Sequence, residues 1–386
     1  MLKRLLSPLY EFLKDSRAVG IVLLVCTILS LVAANSPYQA GYAQFWETAI
    51  HTPEGWHLPH SLLHWINDGL MVFFFFLVGM EIKRELTVGE LSTIRKSLLP
   101  VLAALGGMLC PALIFAIFNA GTPHAHGWGI PMATDIAFSL GILSLLGKRV
   151  PVTLKIFLMA LAIIDDLGAI LAIAVFYTAT LQLMWLLAAA GVMVALVLLN
   201  RFKVQRLVLY FIPGLVLWYC IYNSGIHATV AGVLVAFCIP LTKIADLIHN
   251  LHDPVNFIVM PIFALANTAI VFPPDPLLAF TSDVSYGILA GLVLGKPLGI
   301  FLFSFIAAKL KLAALPHHTT WAQLLGAGLI AGIGFTMSIF ISTLAYKEPE
   351  LQIISKMSVI AASLLAGIAG YIYLKIVRPR YPLTSN

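Results

Sequence analysis

The sequence predicts an all-α polytopic membrane protein, and three observations carry that expectation. Of its 386 residues 60% are hydrophobic and only 10% are charged, whereas a soluble domain carries roughly 25% charged residues. The mean hydropathy is +0.97. Apolar runs of about 20 residues, the length that crosses a bilayer as a helix, recur along the chain with short polar breaks. No segment has the composition of a soluble domain, so residues 1–386 are expected to form a single integral unit.

The apolar runs fall near 18–36, 62–84, 97–118, 129–147, 152–177, 183–200, 205–222, 225–241, 254–273, 286–308, 322–345 and 354–377, which makes twelve transmembrane helices. An even number places both termini on one side. With the termini inside, all of the 23 Lys and Arg fall in cytoplasmic segments except Lys347 and Lys356 outside and Lys296 within a span. That is the asymmetry the positive-inside rule requires, and a miscount by one span would scatter it. Topology therefore explains the net charge of +6, and no nucleic-acid partner is implied. Lys3, Arg4, Lys14 and Arg17 precede the first apolar run in the manner of a signal peptide, with "VAANS" as a conceivable cleavage site. The long flank and the many later spans favour an uncleaved first helix. Cys26, Cys110, Cys220 and Cys238 each lie inside an apolar run and read as small buried hydrophobes, neither disulfides nor metal ligands.

Two spans differ from the rest. The fourth, "GWGIPMATDIAFSLGILSLLG", carries Pro131 ahead of Thr134 and Asp135; the eleventh, "LLGAGLIAGIGFTMSIFISTLA", carries Gly326, Gly328, Gly332 and Gly334 ahead of Thr336 and Ser338. Both read as interrupted helices, and irregular backbone survives at membrane depth only where protein or a water-filled cavity meets it. Spans four and eleven run in opposite directions. The expectation is an inverted-topology repeat of spans 3–5 and 10–12, over about 97–177 and 286–377, with the two interrupted helices crossing at a binding site. The elements at about 18–60 and 183–273 are then left for an interface between two copies. Within the first of them, "FWETAIHTPEGWHLPH" reads either as an outer hairpin suited to a dimer contact or as an interfacial aromatic loop.

Only four ionisable residues lie inside spans and away from their ends: Asp135, Asp165, Asp166 and Lys296. Each costs on the order of 2.5–3.5 kcal/mol near the bilayer centre even on the lenient insertion scale. Neighbours on a helix point about 100° apart, so Asp165 and Asp166 can border one cavity without facing the same way. Burial and mutual repulsion disfavour the doubly ionised pair, while a bound cation or the Lys296 ammonium favours it. Protons and a metal cation thus compete for the same oxygens, and carboxylate, hydroxyl and carbonyl donors suit a hard cation such as sodium or lithium. Asp135 either neutralises the positive ends of the broken helices or joins the ion site. Lys296 either balances their negative ends or pairs with Asp165. No G-x-x-x-x-G-K-[ST] occurs, so an intrinsic P-loop ATPase is excluded and secondary transport follows.

The segments "FFLVGMEIKREL", "GIPMATDIAFSLGIL", "LAIIDDLGAI", "SGIHATVAGV", "MPIFALAN", "GKPLGI" and "AGIGFTMSIFIS", taken in this order, resemble the NhaA family of bacterial sodium/proton antiporters over about residues 10–375. The resemblance implies that Asp166 is the principal cation ligand, Asp165 its partner in ion and proton binding, and Thr134 an additional oxygen donor. It implies that Asp135 and Lys296 compensate charge at the crossed helices, with Lys296 also a candidate proton carrier. It implies a pH-response role for Glu81, Arg84, Glu85, His227, His249 and His252. Ile248 stands where the family pattern has an acidic residue immediately before His249.

The function expected is secondary exchange of cytoplasmic sodium or lithium for external protons, serving sodium and pH homeostasis, by a transporter and not an enzyme. Monovalent cations and protons are its substrates and no cofactor is expected. A homodimer embedded in lipid is expected, in the bacterial inner membrane with both termini cytoplasmic. The rival reading is a sodium-coupled solute symporter of similar architecture. An intramembrane aspartyl protease is disfavoured, because adjacent Asp165 and Asp166 cannot flank a scissile bond and its G-x-G-D signature is missing.

Overall fold

The computed structural model describes residues 17–51, 55, 57–89, 91–178 and 181–377. Lys3, Arg4, Lys14, Arg378 and Arg380 of the expected cytoplasmic flanks lie outside the described residues, as does part of the 45–60 loop. In chain order the helices are α1 (Ala18–Ala34), α2 (Gln39–Trp46), α3 (Met71–Thr87), α4 (Ile94–Phe118), α5 (Ile136–Leu145), α6 (Val152–Phe176), α7 (Leu183–Arg201) and α8 (Val208–Ser224). They continue with α9 (Val230–Cys238), α10 (Leu241–Pro254), α11 (Met260–Asn267), α12 (Asp283–Ala290), α13 (Lys296–Lys309), α14 (Trp321–Ala331), α15 (Phe335–Ala345) and α16 (Pro349–Ile376). Among the described residues the only strand-like pairing is one antiparallel bridge, Ala49 with Ser61, supported by the Ile50 N–H to the His60 carbonyl at 2.9 Å.

The protein is all-helical and polytopic. Among the described residues six helices are long and apolar enough to cross a membrane, and three bent pairs raise the number to nine. Those pairs are α1 with α2, a 3-10 segment Pro123–Met132 with α5, and α14 with α15, bent by 120°, 43° and 47°. Three π-helical turns lie within longer rods: Trp65–Leu70 leads into α3, Val255–Val259 joins α10 to α11, and Gly291–Gly295 joins α12 to α13.

Local chemistry accounts for the helix ends. Thr320 and Gln323 form a reciprocal capping box at the start of α14, and the Ser282 hydroxyl takes the Ser285 N–H at the start of α12. Gly225, at φ 91°, ends α8 in the left-handed conformation that a glycine adopts without penalty.

Two segments differ from the sequence expectation. The run near 225–241 is regular helix only over Val230–Cys238, because Gly225 breaks the chain and the turn persists to Thr229. The span near 254–273 begins earlier, at Leu241. Here α10 buries Ile244 and Ile248 while turning Asp246 and His249 outward. Such an amphipathic stretch has too little net hydropathy to register as membrane sequence. His249 and His252 therefore sit on α10. Lys356, counted with the outer segments, is buried within α16 at 8% exposure.

Packing divides the chain into two compact units: Met1–Cys26 with Thr93–Asp166 and Phe272–Asn386, and Thr27–Ser92 with Leu167–Val271. In the first, α4 lies on α13 with backbone against backbone. A Cβ on Gly106 would collide with the Gly299 carbonyl, and one on Gly299 with the Gly106 carbonyl; Gly295 likewise abuts Pro111. Small residues allow this approach, which is how helices gain packing energy where lipid offers no hydrophobic drive.

In the second unit Gly79 of α3 and Gly232 of α9 play the same part. The carbonyl end of α9 is closed by side chains: Lys83 Nζ donates to the carbonyls of Phe237 at 2.7 Å and Ile239, and Asn200 Nδ2 donates to Cys238 at 2.6 Å. These satisfy the carbonyls that a helix end leaves open. Replacing Gly299 with Val is expected to cost about 1–3 kcal/mol by overpacking, read as a lowered melting temperature of the purified protein in detergent, with Leu298→Val on the exposed side of α13 as the neutral control.

Candidate functional site

The site lies in the first unit, where two helices are broken. The 3-10 segment ends at Met132 and α5 begins at Ile136; α14 ends at Ala331 and α15 begins at Phe335. The breaks adjoin the Pro131 and the Gly332 and Gly334 that weaken regular helix. At these breaks the chains cross, with the Asp135 N–H donating to the Ile333 carbonyl at 2.6 Å. Each break exposes amide groups on one side and carbonyls on the other.

Asp135 serves the amide side of both breaks. Its Oδ1 takes the Phe138 N–H at 3.0 Å, as the N-cap of α5. Its Oδ2 takes the Thr336 N–H at 3.1 Å and the Thr336 hydroxyl. One buried carboxylate thus faces the positive ends of α5 and α15 together, the placement that helix dipoles favour. The Phe335 N–H is taken by Ser363 Oγ at 3.1 Å.

Lys296 serves the carbonyl side. It is the first residue of α13, directly after the π-helical turn Gly291–Gly295. Its Nζ donates to the Met132 carbonyl and lies 2.9 Å from Asp165 Oδ2. Its ammonium thus touches a carbonyl of the first break and a carboxylate at the same time. Thr134 completes the group: its hydroxyl lies 2.8 Å from Asp165 Oδ2 and 3.1 Å from the Ala331 carbonyl.

Asp165, Asp166, Asp135, Lys296 and Thr134 are all buried, at 0%, 2%, 1%, 0% and 0% exposure. Asp166 follows Asp165 on α6 and lies within electrostatic reach of Lys296. Three carboxylates face one ammonium. Asp135 is saturated by hydrogen bonds, whereas Oδ1 of Asp165 is buried without a hydrogen-bond partner among the described residues. The cluster thus holds more negative charge than it neutralises, in a place where bare charge is costly. Protons or cations relieve it, and the oxygens of Asp165, Asp166 and Thr134 suit a hard cation.

The family model for Na+/H+ antiporter 1 matches residues 10–374. The chain belongs to this family. It is similar to the Na(+)/H(+) antiporter NhaA 1 of Flavobacterium johnsoniae, 50% identical with 99% of each chain covered. It is likewise similar to the Na(+)/H(+) antiporter NhaA proteins of Cytophaga hutchinsonii and Bordetella parapertussis, 48% and 46% identical with 97% of each chain covered. The Na+/H+ antiporter family consists of transporters and not enzymes.

The residues singled out for pH response lie in the second unit. Glu81, Arg84 and Glu85 occupy the last turns of α3, with Arg84 Nη2 3.2 Å from Glu85 Oε1. Glu81 is within electrostatic reach of Arg84, Glu85 and His252, so the structure brings four of the six together. His252 Nδ1 lies 3.5 Å from Asp253 Oδ1, and His249 is exposed on α10. Ile248 is buried at 7% exposure, so this face of α10 holds a buried hydrophobe immediately before His249. A ring nitrogen of His227 lies 2.8 Å from the Tyr177 carbonyl.

Removing Lys296 leaves Asp165 buried without its counter-charge. Lys296→Met is expected to lower stability by about 3–5 kcal/mol, and pairing it with Asp165→Asn to recover most of the loss. Thermal unfolding in detergent reads both, and the loss should shrink as the pH falls and Asp165 takes a proton.

Proposed function

We propose that this chain, a sodium/proton antiporter by family, moves sodium or lithium out of the cytoplasm against protons at a site formed by Asp165, Asp166 and Thr134. The observation that carries the reading is the surplus of buried carboxylate at the crossing of two broken helices, three acids against the single ammonium of Lys296. Asp166 is the principal cation ligand. Asp165 is shared between Lys296 and the cation through its remaining oxygen, and Thr134 supplies a hydroxyl oxygen. Asp135 and Lys296 hold the helix ends, and Lys296 gains or loses a proton as Asp165 changes partner.

The cycle is alternating access. Sodium entering from the cytoplasm displaces protons from the carboxylates, the core moves, and external protons then displace sodium outward. The proton gradient is the power source. Twelve spans, with an inverted repeat over about 97–177 and 286–377, fit this cycle. The opposed chain directions of the two broken helices support the repeat. The distribution of Lys and Arg supports cytoplasmic termini in the inner membrane. The segments at about 18–60 and 183–273 are assigned to the contact in a homodimer. The Glu81, Arg84, Glu85 and His252 group, with His227 and His249, is assigned to pH response.

Competition fixes the sign of the pH dependence. Low pH fills the carboxylates with protons and weakens sodium binding, so the apparent KM for sodium should fall about tenfold per pH unit on raising the pH while one proton is displaced per cation. Proton flux driven by sodium and by lithium in everted vesicles, titrated from acid to alkaline pH, measures it. Asp166→Asn should abolish the response in proteoliposomes; full exchange by that variant would remove Asp166 as the ligand.

A further inference from the structure

The two broken helices carry a matched pair of serines outside the charged cluster. Ser139 lies one turn into α5, four residues past Asp135, and Ser338 one turn into α15, four residues past Gly334. Both are fully buried. Ser139 Oγ donates to the Ile330 carbonyl of α14 at 3.1 Å, and Ser338 Oγ donates to the Ile130 carbonyl of the 3-10 segment at 2.6 Å. Each half-helix that follows a break therefore reaches across and holds the half-helix that precedes the other break. Gly334 makes room for this: a Cβ there would strike Ser338 Oγ.

We propose that Ser139 and Ser338 are positioning residues for the cation site, a reciprocal clasp that fixes the carbonyl ends of the crossed helices and, through them, the Thr134 hydroxyl. The link is geometric. Ile330 precedes Ala331, whose carbonyl lies 3.1 Å from Thr134 Oγ1. That hydroxyl has one hydrogen and two acceptors, Asp165 Oδ2 and the Ala331 carbonyl. Without a cation it donates to Asp165. When a cation takes Asp165, the hydrogen turns to Ala331, and the Thr134 oxygen then faces the ion with its lone pairs. This exchange needs the Ala331 carbonyl held within reach, and the Ser139 bond to the preceding residue holds it. The Ser338 bond does the same for Ile130, two residues before Met132, whose carbonyl receives Lys296.

The proposal rests on the cation-site reading above, and the test separates the two. Sodium-driven proton flux is measured in proteoliposomes at fixed pH for the wild type, Ser139→Ala, Ser338→Ala, the double variant and Ser139→Thr, with melting temperatures taken in parallel. Each alanine exchange should raise the apparent KM for sodium about threefold, the scale of one interhelical hydrogen bond in a membrane. The maximal rate should stay within about twofold, and Ser139→Thr, which keeps the donor, should keep the wild-type KM. An unchanged KM in both alanine variants, or a fall in maximal rate alone, overturns the clasp. If the alanine variants do not assemble, Ser139→Thr and Ser139→Cys carry the comparison, since the thiol is the weaker donor, and an equal KM in those two overturns it as well. A wild-type protein without sodium-driven flux would instead strike the cation-site reading itself.

Discussion

A broken helix inside a membrane must find hydrogen-bond partners in the protein, because lipid offers none. The core of this chain is arranged around that requirement. Two breaks, at 133–135 and 332–334, lie against each other, so each can answer part of the other's need. The amides go to Asp135 and Ser363, and the carbonyls go to Lys296, Thr134, Ser139, Ser338 and the Asp135 N–H. Charged side chains in the bilayer are costly by themselves; here Asp135 and Lys296 are hydrogen-bonded to the opened helix ends.

The chemistry of exchange follows from what this arrangement leaves over. The Asp135 carboxylate is spent on three donors at the two breaks and has little capacity to bind anything else. Lys296 is divided between a carbonyl and Asp165. Asp165 and Asp166 are adjacent on α6 and cannot both be neutralised by the one ammonium. In the proposed cycle a proton or a sodium ion makes good the remainder, and concentration weighed against affinity on the accessible side decides which. Antiport in this view needs no dedicated coupling device, since occupancy by one ion excludes the other from the same oxygens.

Much of this was legible in the sequence because the relevant signals are local. An Asp-Asp pair in an apolar run, a proline three residues before Thr134, and glycines at 332 and 334 each mark their site without reference to anything distant. What could not be read were the contacts between segments far apart in the chain. The carbonyls of Met132 and Ala331 leave no trace in residue identity, and whether Lys296 paired with Asp165 or answered a helix end depended on a reach that only the fold defines. Ser139 passed as an ordinary hydroxyl in an apolar helix, and Ser338, though it stood out beside Thr336 in the eleventh span, gave no sign of its partner. The helix boundaries failed where hydropathy is a poor guide: α10 is amphipathic and starts well before its apolar run, and Gly225 shortens a span that composition alone would continue. Ile248 was visible as a departure from the family pattern, but its burial was not.

The contact of Gly106 with Gly299 places one stretch of backbone directly on another, without side chains between them. Lys296 stands one turn before Gly299 on α13, so the ammonium is mounted on a joint that cannot be shimmed. Side-chain interfaces absorb sequence drift by changing rotamer; this one has no rotamer to change. The tolerance map of the protein should then be most restrictive in places that touch neither ion nor water, and a catalogue of inactive variants would find much of its harvest among glycines that take no part in transport.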